Sequence, residues 1–143
     1  YLLCEADGIV MGYAYAHRQA ERAAYRWNAE LSVYLSSEAC GLGIGTALYT
    51  ALLQLLQLQG IRNAYGVITS PNPASERLHT SLGFRLAGVH HSTGYKCGKW
   101  HDVLFFEKAL GDGDPPEEVF PFSRLESTAV QEILRRCGMK IPR

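Results

Sequence analysis

The sequence predicts one α/β domain, a mixed sheet with helices packed on it. Three observations point there. Strand-like alternation opens the chain and returns before residue 110. Two helix-period segments lie between those strands, and each has its own start and stop residues. At 143 residues, 47% of them hydrophobic, the chain can bury one real core.

The elements follow in order. "YLLCEADGIVMGYAYAHR" reads as two strands joined at Asp7-Gly8, because Asp-Gly between apolar and aromatic runs is a strong hairpin signal. Gln19 to Arg26 is a charged, Ala-rich loop. From Trp27 to Leu35 the side chains alternate, with Trp27, Ala29, Leu31 and Val33 on one face and Asn28, Glu30, Ser32 and Tyr34 on the other. That pattern is a half-buried strand. From Gly45 the period becomes helical through Leu48, Leu52, Leu55, Leu56 and Leu58, and Gly60 is the expected stop. "NAYGVI" is a short strand. "PNPASERLHTSLGF" is a second helix, capped by Asn72, with Pro73 in its first turn and Gly83 at its end. "FRLAGVHH" and "WHDVLFFEKAL" are two further strands. Past Leu110, "GDGDPPEEVFPF" has the Gly, Pro and acidic content of a linker, 111–122. An amphipathic helix is expected over 123–137, with Ser123 and Glu126 as a capping box and Leu125, Ala129 and Ile133 along one stripe.

Composition excludes several classes of function. Fourteen basic and fourteen acidic residues leave no net charge, hence no field to recruit nucleic acid or an anionic membrane. No apolar run approaches the roughly 18 residues of a membrane span. Cys4, Cys40, Cys97 and Cys137 are scattered, without the spacing of a zinc site, and suggest a reducing cytoplasm. His90 and His91 are adjacent in a strand and point to opposite faces, so no metal is expected there.

The segment Gly41-Leu42-Gly43-Ile44-Gly45-Thr46 stands at the mouth of the first helix. Exposed amides at a helix N-terminus bind phosphate well. Two phosphate loops fail the test. A Walker loop needs Lys-Ser/Thr after its last Gly, and Gly45 is followed by Thr46-Ala47. A Rossmann fingerprint counted from Gly43 and Gly45 needs a third Gly where Leu48 stands. Alone, the glycines serve a tight strand-to-helix turn equally well.

The order of motifs is more specific. A strand with a carboxylate on its polar face, the Gly-x-Gly-x-Gly turn, an apolar helix, a strand and "NPASERLHTSLGF" together resemble the GNAT superfamily of acetyl-CoA-dependent N-acetyltransferases. "AELSVYL", "GLGIGTALYTALL", "RLHTSLGF" and "GYKCGKWHDV" resemble its phosphinothricin N-acetyltransferase group, which includes enzymes acting on methionine sulfone and sulfoximine. The resemblance covers residues 1 to about 110, the expected catalytic domain. It implies the GNAT fold, with two parallel strands splaying apart and the pantetheine arm pairing with the first. It lines acetyl-CoA with Val33, Tyr34, Leu35, Gly41, Leu42, Gly43, Ile44, Gly45, Thr46 and Asn72. It also implies a homodimer. The family's first strand and first two helices, which help wall the acceptor site, are expected upstream of Tyr1. Cys40 stands where the superfamily usually has Arg or Gln, and the helix after residue 122 has no counterpart in the group.

Acetyl transfer needs a neutral amine, while α-amines have an ordinary pKa of about 8, so a base is required. The resemblance puts that base at Glu30. It puts His79 where many members carry a Tyr that protonates the departing thiolate; an imidazole there suits proton transfer as acid or base. A backbone amide near Val33 to Leu35 is expected to meet the oxyanion. An amino-acid-like acceptor carries a carboxylate, for which Arg22 and Arg26 are the candidate partners, followed by Arg18 and Lys96. Tyr95, Trp100 and His101 are candidates for the pocket wall or a dimer contact. Three readings stay open at this point: an amino-acid acceptor, another amine such as a polyamine or a protein N-terminus, and an acetyl-CoA-binding module without catalysis.

Overall fold

The computed structural model describes residues 1–138. Six strands, β1 (Leu2–Ala6), β2 (Ile9–Arg18), β3 (Asn28–Leu35), β4 (Asn63–Thr69), β5 (Arg85–Lys96) and β6 (Lys99–Ala109), form one sheet in the order β1-β2-β3-β4-β6-β5. Three helices accompany them: α1 (Ile44–Leu58), α2 (Pro73–Ser81) and α3 (Ser127–Gly138). Only β3 and β4 run parallel; every other neighbouring pair is antiparallel.

Local chemistry accounts for the turns. Asp7 and Gly8 both take left-handed backbone, at φ 52° and 79°, as a two-residue hairpin turn requires. Cys97 and Gly98 repeat that geometry between β5 and β6, at φ 52° and 76°. Asn72 accepts a hydrogen bond from the Ser75 amide, and Pro73 follows it at the start of α2.

The two faces of the sheet differ. Ala14, Ala29, Leu31, Ala64, Ile68 and Phe106 pack under Leu48, Tyr49, Leu52 and Leu56 of α1 and form the main core. On the opposite face, Tyr13, Tyr15 and His17 of β2 stand across from Tyr34, Ser32 and Glu30 of β3. The rings of Tyr13 and Tyr34 stack at 5.3 Å, those of Tyr1 and Tyr15 at 4.9 Å. Among the described residues, no helix covers this aromatic row.

The C-terminal part departs from expectation in one respect. The helix begins at Ser127, so the capping box of Ser123 and Glu126 does not form. Ser123 sits in a 3-10 turn, Phe122–Arg124, and Leu125 is extended at φ −70°, ψ 144°, which separates the two. The helix then docks on the back of α1, burying Ile133 and Cys137 against Ala51 and Leu55. Residues 111–121 lack regular structure but are tied down. Trp27 Nε1 donates to the Glu117 carbonyl at 2.7 Å, Arg62 to that of Gly113 at 2.9 Å, and Gln59 to that of Phe120 at 2.9 Å.

Candidate active site

The parallel pair is incomplete. β3 and β4 pair from Asn28↔Asn63 to Leu31↔Gly66 and no further, although β3 runs on to Leu35 and β4 to Thr69. Beyond that apex they diverge around a cleft of about 610 Å³. The Ser36 amide donates to the Met11 carbonyl of β2 at 2.9 Å. Peptide groups alternate in direction along a strand, so those of Val33 and Leu35 point the other way, into the split. This is a bare polar edge of the kind an extended ligand can pair with.

The glycine turn follows β3 and leads into α1, and residues 41–46 are not among those that line the cleft. Gly41 and Gly43 have φ of 80° and 79°, with open space where a Cβ would stand. Backbone conformation, not crowding, therefore calls for glycine at both. Gly43 is the N-cap of α1, and neither a capping side chain nor an acidic residue occupies its first turn. The first amides of α1 and the positive end of its dipole are left for an anion. Gly45 packs closely instead, with Leu35 and Leu78 at 3.4 and 3.5 Å from where its Cβ would be. Cys40 turns away, its Sγ 3.5 Å from the Ser36 carbonyl.

His79, on α2, is only 2% exposed. Its Nδ1 lies 2.8 Å from the Ser75 carbonyl oxygen, which only accepts, so Nδ1 carries the proton. Nε2 is then an acceptor; it is buried without a partner and lies on Gly66, at the apex of the split. Burial holds the imidazole below its usual pKa, opposed by the Ser75 contact, and keeps it neutral. Tyr49 meets the ring edge-on at 5.3 Å and also lines the cleft; burial pushes its phenol pKa up.

Glu30 is on the opposite face. It pairs with Tyr65, one position before the apex, with its side chain 28% exposed and His17 Nε2 at 4.0 Å. The two expected catalytic residues thus flank the apex from the two sides of the sheet. Asn72 caps α2 and lines the cleft as well, as do Val33, Tyr34 and Lys96. Arg22 and Arg26 are not brought there. They precede β3, at the end away from the split, and the Arg26 guanidinium lies 4.8 Å over the Trp27 ring. Arg18 pairs with Ala29 at that same end. Tyr95 and Trp100 pair with each other at 5.2 Å, exposed on the β5–β6 hairpin. His101 does reach the cleft, as do Cys97 and three residues the sequence reading passed over: Tyr49, Ser75 and Lys99. The available signal for Tyr49 was that it is the one aromatic residue of α1.

The comparisons agree with this geometry. Residues 1–105 match the model of the acetyltransferase (GNAT) domain. The phosphinothricin N-acetyltransferase of Streptomyces viridochromogenes is 40% identical over 125 residues, 87% of this chain and 68% of its own. The L-methionine sulfoximine/L-methionine sulfone acetyltransferase of Pseudomonas aeruginosa is 35% identical over 106 residues, 74% of this chain and 62% of its own. The crystal structure of a GNAT superfamily phosphinothricin acetyltransferase from Sinorhizobium meliloti in complex with AcCoA superposes with a TM-score of 0.76 at 43% identity, over 83% of this chain and 66% of that one. The chain thus spans about two thirds of the length of these relatives.

Proposed function

The chain belongs to the acetyltransferase (GNAT) family, and from that premise we propose that it moves the acetyl group of acetyl-CoA onto the amine of a small amino acid or close analogue. The observation that carries the reading is the split sheet. A bare strand edge at Val33 and Leu35 leads from the glycine turn to an apex where a buried nitrogen, His79 Nε2, lacks a partner. Those features fit acetyl-CoA: the amides of residues 41–46 suit its pyrophosphate, and the β3 edge suits the amide-bearing pantetheine arm.

In this mechanism the acceptor amine enters from the open face, where Glu30 takes its proton. The amine nitrogen attacks the thioester carbonyl carbon directly. Developing charge on the carbonyl oxygen is met by an amide of the β3 edge; as the C–S bond breaks, the second proton of the attacking nitrogen passes to the departing sulfur, and coenzyme A leaves as its thiol. With Nδ1–H committed to Ser75, neutral His79 serves as an acceptor on the thioester side. A homodimer and a cytoplasmic setting are part of the same proposal. The first rests on the family resemblance, the second on four free cysteines.

The test is thiol release from acetyl-CoA with phosphinothricin, methionine sulfoximine, methionine sulfone, spermidine and a short peptide. Turnover is expected with the first three, falling by about 10²-fold or more in Glu30→Gln. Turnover confined to spermidine or the peptide overturns the acceptor class. Saturable acetyl-CoA binding with no turnover on any amine leaves a non-catalytic module.

A further inference from the structure

The proposed reaction leaves one proton to dispose of. The amine arrives as an ammonium ion, the amide product is neutral, and coenzyme A leaves as its thiol. One proton per turnover must therefore pass from the acceptor nitrogen to bulk water, and Glu30 is its first stop. Glu30 cannot keep it, because each new acceptor needs a free carboxylate.

Strand pairing sets Glu30 in a row of polar side chains on the open face. His17 stands opposite it on β2, and Tyr65 is level with it on β4. Tyr65 pairs with Glu107 of β6, which pairs in turn with Arg85 of β5. Arg85 and Glu107 form an ion pair, so that carboxylate already has its cation. Burial first, then the charge of Glu107, pushes the Tyr65 pKa up; the phenol stays protonated and takes no net proton. Among the described residues Glu30 has no lysine or arginine within ion-pair distance, and its one ionisable partner is His17.

The His17 ring is set to receive a proton. Its Nδ1 lies 2.9 Å from the Arg18 carbonyl oxygen, which only accepts, so Nδ1 carries the hydrogen. Nε2 therefore holds the free lone pair, 4.0 Å from Glu30 Oε1. With Glu30 ionised, lone pairs face each other and nothing bonds them. Once Glu30 is protonated its O–H can donate to Nε2, and an imidazole is a stronger base than a carboxylate. The His17 side chain is 51% exposed and that of Glu30 28%, so a change of torsion closes the gap and leaves the ring in contact with water. Besides Glu30, the titratable neighbour of the ring is Tyr15, 6.2 Å away on the same strand. Arg18 is next in sequence and points to the other face. The pairing of β1 with β2 stops at Leu2↔Ala14, and Tyr1 beyond it stacks on Tyr15.

We propose that His17 is the proton outlet of the site: Glu30 passes it the proton taken from the acceptor amine, and the ring releases it to water. In each cycle the Glu30 O–H bond breaks as an Nε2–H bond forms, and loss of that hydrogen to water restores both groups. His17 acts through Glu30, as a positioning residue for the proton. The proposal rests on the acetyltransferase reading, with Glu30 as the base.

The experiment follows thiol release with methionine sulfone in dilute buffer, for the unmodified chain, His17→Gln and His17→Ala. In both variants kcat is expected to fall about tenfold, while KM for the acceptor and the acetyl-CoA Kd hold. Added imidazole should restore kcat in His17→Ala in proportion to its neutral form, and leave the unmodified chain unchanged. Substituted imidazoles should rescue better as their basicity rises, which a merely structural role would not show. Full activity in His17→Gln, a loss without rescue, or a loss carried by KM overturns the proposal. If the unmodified chain turns over no acceptor, the activity reading fails on its own. Nitrogen NMR shifts of the His17 ring then decide the pair. An Nδ1–H ring whose Nε2 resonance moves in Glu30→Gln supports it; the other tautomer, or an unmoved resonance, overturns it.

Discussion

The two sides of the split sheet are built differently. The helix side is a packed core in which backbone supplies the polar groups: the first amides of α1, the free edge of β3 and the Ser75 carbonyl behind His79. The open side is an exposed row of rings, and its polar groups are side chains brought from distant parts of the chain: Glu30, Lys96 and Lys99. Backbone recognition tolerates sequence change, so Cys40 can replace a polar side chain and leave the amides of the turn in place. Side-chain recognition does not, and under the proposed reaction the acceptor amine meets Glu30 on that side.

The largest effect on stability is expected where the helix side is tightest. A Cβ on Gly66 would overlap His79 Nε2. The ring has no room to retreat, with Phe84, Tyr49 and Phe106 centred 5.1, 5.3 and 5.6 Å from it. Gly66→Ala should therefore cost about 1–3 kcal/mol as overpacking, read as a Tm several degrees lower. An equivalent change on the open side, Ser32→Ala, should move Tm far less. A Gly66→Ala protein that melts with the parent would show that the apex is loosely packed and that the contrast between the sides is weak.

The same contrast explains what was legible in the sequence. The helix side announced itself through local signals: Asp7-Gly8 for the first hairpin, the glycines before α1, and Asn72-Pro73 at the head of α2. Each is a contact between near neighbours, which composition and spacing record. The open side is assembled by pairing. Lys99 reaches the cleft only because β6 lies between β4 and β5, and Arg22 and Arg26 miss it because β3 carries them to its other end. Sequence order places those arginines just before Glu30, but the direction of the strand separates them from the split. The capping box at Ser123 failed for a related reason: the pattern was present, yet Leu125 continues the tied-down segment and the helix starts after it.

A smaller effect separates the two sides by function. Gly43 is left-handed at φ 79° with open space around it, so alanine there meets no clash and costs only its strained backbone, about 1 kcal/mol. Because the residue caps α1, Gly43→Ala should raise the acetyl-CoA Kd several-fold and leave KM for the acceptor nearly unchanged. Gly43→Asn, which tolerates that conformation better, should recover part of the loss. Acceptor KM rising in step with the acetyl-CoA Kd would mean that the two subsites are not separable.

The smallest effect concerns His79 and depends on pH. Its folded pKa lies below the ordinary imidazole value of about 6.5, because burial disfavours the cation. Between those two values the unfolded chain binds a proton that the folded chain does not. The stability that neutral His79 contributes is therefore fully present above about pH 6.5 and is lost as the pH falls toward the folded value. In His79→Gln that dependence is absent, and every other residue is common to the two proteins. The parent should lose more Tm than His79→Gln between pH 7.5 and 5.5, with their difference constant above pH 7. Parallel curves would mean that the ring is not held neutral at the apex. His79 would then be free to donate a proton to the departing thiolate, and the helix side would supply an acid where its geometry now offers an acceptor.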